Sequence, residues 1–269
     1  MDGGRLVEEW PAGSAAAVVR LDGGVEAVLA SDGDLSVERP WASVSKLAVA
    51  LAMGVEHDWG LHDLDESVGP QGATIANLLS HSAGLGLEED DRRAPIATRR
   101  VYSNYGVDLA VAAVVGEADA PSWLDRRIFV PLGMTGTRLE GRPAAGVVGP
   151  TRDLITLAVA WLRPDAVARA TRDRMITPYL PDLDGVVPGF GRFSPCPWGI
   201  GPEIHGAKRH WMGDWPPASF GHFGMSGALV LLDAAAGFGV VATSPEPFGP
   251  WAVDLWPRWT SDVRASFLA

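Results

Sequence analysis

The sequence has a single cysteine, Cys196, so no internal disulfide can form. With no basic partner close to it in sequence, this thiol reads as a small buried hydrophobe, not a nucleophile. No apolar run reaches the roughly 18–20 residues that span a bilayer. Positive charge is scarce: 22 Lys and Arg against 33 Asp and Glu give a net charge of −11. That balance argues against nucleic acid and against an anionic membrane surface as the main partner. The first ten residues lack a basic stretch followed by an apolar one, so a cytoplasmic protein is expected. Internal repeats and low-complexity linkers are absent. Lysine is nearly absent too, with only Lys46 and Lys208 on a chain that otherwise uses arginine.

The chain does contain enough apolar residues, 47% of 269, for one large core. Residues 15–29 read as a hairpin around Asp22-Gly23-Gly24. A strongly amphipathic helix is expected from Ser43 to near Gly60. Thr74 is placed to cap a short helix ending at Leu79. Helices are also expected over 107–115, 122–129 and 153–162, the last ended by Pro164. The charged run 88–100 reads as a solvated loop, and the Pro- and Gly-rich stretch 181–221 as loop-dominated. Residues 228–232 and 239–243 are strand-like, and a tail over 251–269 is helical with a break or first turn at Pro257. Strands at both ends with helices between them imply an α+β fold. In it, both termini build one antiparallel sheet and a helical subdomain is inserted between them. The expected division is a single unit of two lobes, a sheet lobe of 1–60 and 185–269 and a helical lobe of 61–184.

Ser43-Val44-Ser45-Lys46 is the stretch richest in chemistry. Residues three apart on a helix share a face, so Lys46 can set its amine beside the Ser43 hydroxyl. A serine hydroxyl needs a base within hydrogen-bond reach, and a lysine serves only if its pKa falls toward neutrality. Arginine cannot lose its proton in this way, which makes a lysine at this position informative. Tyr102-Ser103-Asn104 supplies a phenol, a candidate general base and acid if ammonium neighbours make its phenolate accessible, and an amide able to bond a substrate carbonyl or the lysine. Gly221-His222-Phe223-Gly224-Met225-Ser226-Gly227 leads into a strand whose edge can offer N–H groups to an oxyanion.

Ser-x-x-Lys, Tyr-x-Asn and His-x-Gly in this order resemble the serine β-lactamase and penicillin-binding protein family. The closest resemblance is to its class C β-lactamase, D-aminopeptidase and family VIII esterase branch. Leu78-Leu79-Ser80-His81-Ser82-Ala83-Gly84-Leu85 and Phe129-Val130-Pro131-Leu132-Gly133-Met134-Thr135-Gly136-Thr137 look like two further segments of that family. The resemblance covers nearly the whole chain. It implies Ser43 as acylated nucleophile, with Lys46 and Tyr102 sharing its activation. Asn104, His222 and Gly224 would support the substrate, and the N–H groups of Ser43 and Met225 would form the oxyanion hole. His81 is expected to brace its loop. Trp211 and Trp215, just before His222, are candidates for a cleft wall, with a core role as the alternative.

The expected activity is hydrolysis of a small ester or amide through a Ser43 acyl-enzyme, an esterase being favoured. A β-lactamase or D-aminopeptidase/DD-peptidase, an acyltransferase, and an inactive binding protein are the alternatives. No cofactor and no metal is expected. His205 and His210 are expected to be solvent-exposed, without carboxylate partners.

Overall fold

The computed structural model describes residues 5–163 and 165–268. Its frame is a six-stranded antiparallel sheet ordered β2-β1-β11-β10-β9-β8. The first two strands, β1 (Ala15–Asp22) and β2 (Val25–Asp32), form the expected hairpin. The other four are β8 (Glu203–Ile204), β9 (Phe220–Phe223), β10 (Leu229–Asp233) and β11 (Phe238–Thr243). Pairing of Ala15 with Thr243 and of Val19 with Gly239 joins the two ends of the chain in the middle of the sheet. Both faces of β1, β10 and β11 are covered, so these strands read as continuous apolar runs, not as alternating ones. Ala17, Val19, Val230, Leu232 and Val241 face one buried cluster. Ala16, Val18, Leu229, Leu231 and Val240 face the other.

The first face packs on α1 (Ser45–Asp58) and α5 (Thr151–Leu162). The second packs on α7 (Pro250–Leu268). Between the sheet's two halves run α2 (Ile75–Leu79), α3 (Asn104–Val115), α4 (Ala120–Leu124) and α6 (Arg169–Met175). Short strands β3 (Glu38–Pro40), β4 (Arg138–Leu139) and β5 (Val147–Pro150) make a small second sheet, and β6 (Gly185–Val187) pairs with β7 (Gly191–Phe193). Among the described residues, no helix is long and apolar enough to cross a membrane.

Several expectations change. The Ser43 helix is not amphipathic: α1 is buried on all sides from Ser45 to Glu56. Small residues on its back face allow this. Ala50 lies where a Cβ on Gly201 would come within 2.2 Å, and a Cβ on Gly54 would touch Met175 and Val167 at 3.0 Å. Glu56, at the far end, is satisfied by Trp123 Nε1 and Arg127 Nε, both donating at 2.7 Å. The loop-dominated stretch 181–221 contains β6, β7 and β8, strands too short to leave a periodic pattern. Pro257 sits inside α7 without breaking it, because Trp256 and Trp259 on either side of it are buried in the second cluster. Thr74 caps α2 as expected, its hydroxyl accepting from Asn77 N–H at 3.1 Å. Helix α5 ends at Leu162; Pro164, read as its terminator, lies outside the described residues, as do Met1–Gly4 and Ala269.

The tight back face of α1 gives a testable consequence. Ala50→Val should overpack the contact with Gly201 and lower stability by about 1–3 kcal/mol in chemical denaturation. An unchanged midpoint would mean that this face has room to spare.

Candidate active site

Ser43 is held by what precedes it. Trp41 is fully buried, its N–H donating to Val147 at 2.8 Å and its indole N–H to Gly149 O at 3.0 Å. Ala42 then takes a left-handed backbone, φ +45°, a conformation costly for a residue with a Cβ. It turns the chain into the 3-10 turn Ala42–Val44, which runs straight into α1. Ser43 stands on this turn with its hydroxyl at the helix entrance. Ser45 is fully engaged elsewhere, its Oγ accepting from Val147 N–H at 3.0 Å.

Lys46, one turn in, is 1% exposed. Its Nζ lies 3.2 Å from Ser43 Oγ, 2.7 Å from Asn104 Oδ1 and 2.9 Å from the Ala144 carbonyl oxygen. All three partners are neutral oxygens. Burial therefore dominates and pushes the amine down to about 7, with Asp108 and Glu88 pulling it up and Arg142 down. Tyr102 donates its phenol to Ser43 Oγ at 2.8 Å. Burial raises that phenol well above its usual range, so Tyr102 is a protonated donor and not the accessible phenolate expected from sequence. A donor count follows. Neutral Lys46 has two N–H groups and one lone pair. The N–H groups go to Asn104 and Ala144, the lone pair takes the Ser43 proton, and Ser43 Oγ accepts from Tyr102. Each group in this chain has a partner when the amine is neutral.

Tyr102 and Asn104 flank the start of α3. Ser103, between them, caps the helix by accepting from Gly106 N–H at 2.8 Å and donates to Gly86 O at 2.6 Å. His81, left-handed at φ +59°, accepts from Ser103 N–H at 3.2 Å and stacks on the Tyr102 ring at 4.4 Å. It braces the tyrosine's segment, as its loop position suggests. Thr137 likewise braces, donating to Asp153 at 2.8 Å.

Opposite Ser43 lies the end of β9. Gly224 is required there because a Cβ would come within 2.2 Å of the Trp41 carbonyl oxygen. Among the described residues, no carbonyl accepts from the N–H of Ser43 or of Met225. His222 donates from Nδ1 to Phe223 O at 2.7 Å, which leaves Nε2 as a buried acceptor without a partner among the described residues. Burial drops its pKa to about 3, so the ring is neutral and gives Tyr102 no cationic support.

These groups line a cleft of about 30 Å³ formed by Ser43, Tyr102, Pro188, Trp198, His222, Phe223 and Met225. Its wall is Trp198, whose ring lies 5.9 Å from that of Tyr102. Trp211 and Trp215, the wall candidates read from sequence, are core residues instead. Trp211 donates to Glu203 at 2.9 Å and Trp215 to Thr260 O at 2.8 Å. Nothing in the local sequence separates Trp198 from the other tryptophans of the carboxyl third. His205 and His210 are buried, not exposed, and His210 does have a carboxylate partner, Glu203 at 2.8 Å. Lys208 joins the same carboxylate at 2.7 Å. Among the described residues, no group of three or more metal-ligating side chains is assembled.

The family sequence pattern described as Beta-lactamase matches residues 39–258. The chain belongs to the beta-lactamase family. Solved structures of the same architecture are similar to this chain. A β-lactamase from Mycobacterium bovis is 37% identical, with a TM-score of 0.92 and 98% of each chain covered. Two others are 16% identical and share the fold. For a LovD6 mutant of simvastatin synthase from Aspergillus terreus, the TM-score is 0.80 with 98% of this chain and 95% of that one covered. For EstCE1, a hydrolase with promiscuous acyltransferase activity, it is 0.73 with 94% of each covered. No curated protein matches.

Gly224→Ala tests how closely β9 must approach the Ser43 turn in this family member. The added methyl group should push the strand edge away and slow labelling of Ser43 by a fluorophosphonate about 100-fold, the scale of one lost oxyanion donor. Intact-mass spectrometry over time checks it, and an unchanged labelling rate would show that the approach is not needed.

Proposed function

We propose that this chain is a serine hydrolase that cleaves small esters through an acyl-enzyme on Ser43. The observation that carries the reading is the chain of contacts Tyr102–Ser43–Lys46, at 2.8 and 3.2 Å, opening into a small cleft. Neutral Lys46 takes the Ser43 proton as Oγ attacks the carbonyl carbon. The N–H groups of Ser43 and Met225 receive the developing oxyanion, aided by the positive end of α1. The C–O bond to the leaving group then breaks, and Tyr102 passes it a proton that Lys46 replaces. Water, one hydrogen held by the His222 Nε2 lone pair, attacks the acyl carbon and gives its other proton to the again-neutral Lys46. The acyl carbon–Ser43 Oγ bond then breaks, the acid leaves, and Oγ takes that proton back from Lys46.

The small size of the cleft supports a short acyl group. Pro188, Trp198, Phe223 and Met225 make most of its surface apolar, which suits an uncharged acyl chain. An ester is favoured over an amide because an alkoxide leaves with less need of a proton than an amine. Transfer of the acyl group to an alcohol is the second reading. It is favoured by the His222 acceptor, which suits an alcohol O–H as well as water, and it accords with the acyltransferase activity named for EstCE1. The name of the Mycobacterium bovis relative keeps β-lactam hydrolysis in the test.

Intact-mass spectrometry after a fluorophosphonate should give one adduct that Ser43→Ala abolishes. Short-chain p-nitrophenyl esters should turn over while a chromogenic cephalosporin does not. Cephalosporin turnover without ester turnover would reject the esterase reading, and an adduct surviving Ser43→Ala would reject Ser43.

The protonation state of Lys46 sets the pH dependence. The amine is a base only when neutral, so kcat/KM for an ester should fall as pH drops through about 7 and level off above it. A profile flat between pH ~5.5 and ~8.5 would remove Lys46 as the base.

A further inference from the structure

The neutral partners of Lys46 belong to a closed circuit. Asn104 accepts from Lys46 through Oδ1 and donates through Nδ2 to Glu88 Oε1 at 2.8 Å. Arg142 pairs with Glu88 Oε2 and donates through Nε to Asp108 Oδ2 at 2.5 Å. The other oxygen of Asp108 accepts from Ala144 N–H at 2.7 Å, and the Ala144 carbonyl returns to Lys46 at 2.9 Å. With α1, which carries Lys46, three other pieces of chain meet in this ring: the loop between α2 and α3, the helix α3, and the segment before β5. Glu88 comes from the charged run whose sequence reads as solvated loop. It is half-exposed, yet it reaches the amide that holds the amine.

We propose that Glu88, Arg142 and Asp108 are positioning residues for Lys46, fixing where its amine sits and setting, through their charges, the pH at which its lone pair is free. None of the three touches the amine. Two carboxylates and one guanidinium lie one group out, so the circuit carries one net negative charge. The carboxylates favour the ammonium and the guanidinium favours the free amine. Other groups facing Lys46 are Tyr102, 5.0 Å from Nζ to its ring centroid, and the buried rings of His81 and His222. Burial holds all three uncharged, which leaves the circuit as the source of charge. Asp108, whose side chain is 14% exposed against 52% for Glu88, is the less screened carboxylate and should weigh more.

This inference rests on the reading of Lys46 as base, but it can be tested without turnover. The chain has two lysines, so protein labelled with ¹³C at lysine Cε gives two signals, and Lys46→Met identifies one of them. Titration by NMR should place the Lys46 midpoint lower in Asp108→Asn and Glu88→Gln than in the wild type, and higher in Arg142→Gln. Each shift should be about half a pH unit or more, with the largest fall in Asp108→Asn. A purely structural role would move all three variants the same way, so a common direction, or no movement, overturns the proposal. The acid limb of ester turnover in the same variants separates the two readings. Midpoints that split by sign while the limb stays fixed would keep the circuit and remove Lys46 as base.

Discussion

A primary amine shut away from water at the entrance of a buried helix is the constraint on which the rest of this site depends. An ammonium taken out of water loses several kcal/mol of solvation unless it is paired. Lys46 has no carboxylate in contact, and its three partners are oxygens that suit the neutral amine as well as the cation. The surroundings therefore have to be both dry and polar at one point. A helix with an exposed face could not supply this, so the complete burial of α1 is what makes the surroundings of the amine dry. Its small back-face residues, Ala50 and Gly54, let the Gly201 loop and α6 close over it.

The sheet contributes through one close approach. Trp41 is pinned to β5 by two hydrogen bonds, so the Ser43 turn cannot drift. Gly224 then brings the end of β9 against the Trp41 carbonyl. The end of β9 is thereby brought beside the turn that carries Ser43, at a place where the backbone of Ala42 is already left-handed. The strain at Ala42 and the missing side chain at Gly224 serve the same geometry from opposite sides of the cleft.

Local signals in the sequence carried much of this, and non-local ones did not. Asp22-Gly23-Gly24 announces the hairpin, Thr74 the start of α2, and the apolar ends of the chain the shared sheet, because each depends on neighbours within a few residues. Ser43, Lys46 and Tyr102 were legible as a set because their motifs lie in order along the chain. The circuit of Glu88, Arg142 and Asp108 was not, since its charges come from three elements and each looks like ordinary surface in its own surroundings. Periodicity misled over α1: its apolar stripe implies one buried face, whereas Ala50 and Gly54 off that stripe are also tightly packed. The same limit separates Trp198 from Trp211. Both follow Pro- and Gly-rich chain, and only the tertiary path decides which indole meets Tyr102. His210 read as exposed because its carboxylate, Glu203, sits seven residues away across a loop.

The two lysines show what the fold does with one functional group in two settings. Lys208 is as deeply buried as Lys46, but its Nζ lies 2.7 Å from Glu203 and donates to Pro197 O at 3.1 Å. With His210 and Trp211 on the same carboxylate, Glu203 stays ionised well below the usual range although burial opposes its charge. Lys208 therefore has a carboxylate in direct contact. Around Lys46 the carboxylates stand one group further out, behind the amide of Asn104 and the backbone of Ala144. Both intermediates transmit position without delivering a full charge: each holds the amine by an oxygen and is itself held by a carboxylate. Placing Glu88 or Asp108 in direct contact with Lys46 would make an ion pair and favour the charged form of that amine. Asn104 and Ala144 act as insulation in this sense, and the neutrality of their contacts, as much as their location, sets the surroundings of Lys46 apart from those of Lys208.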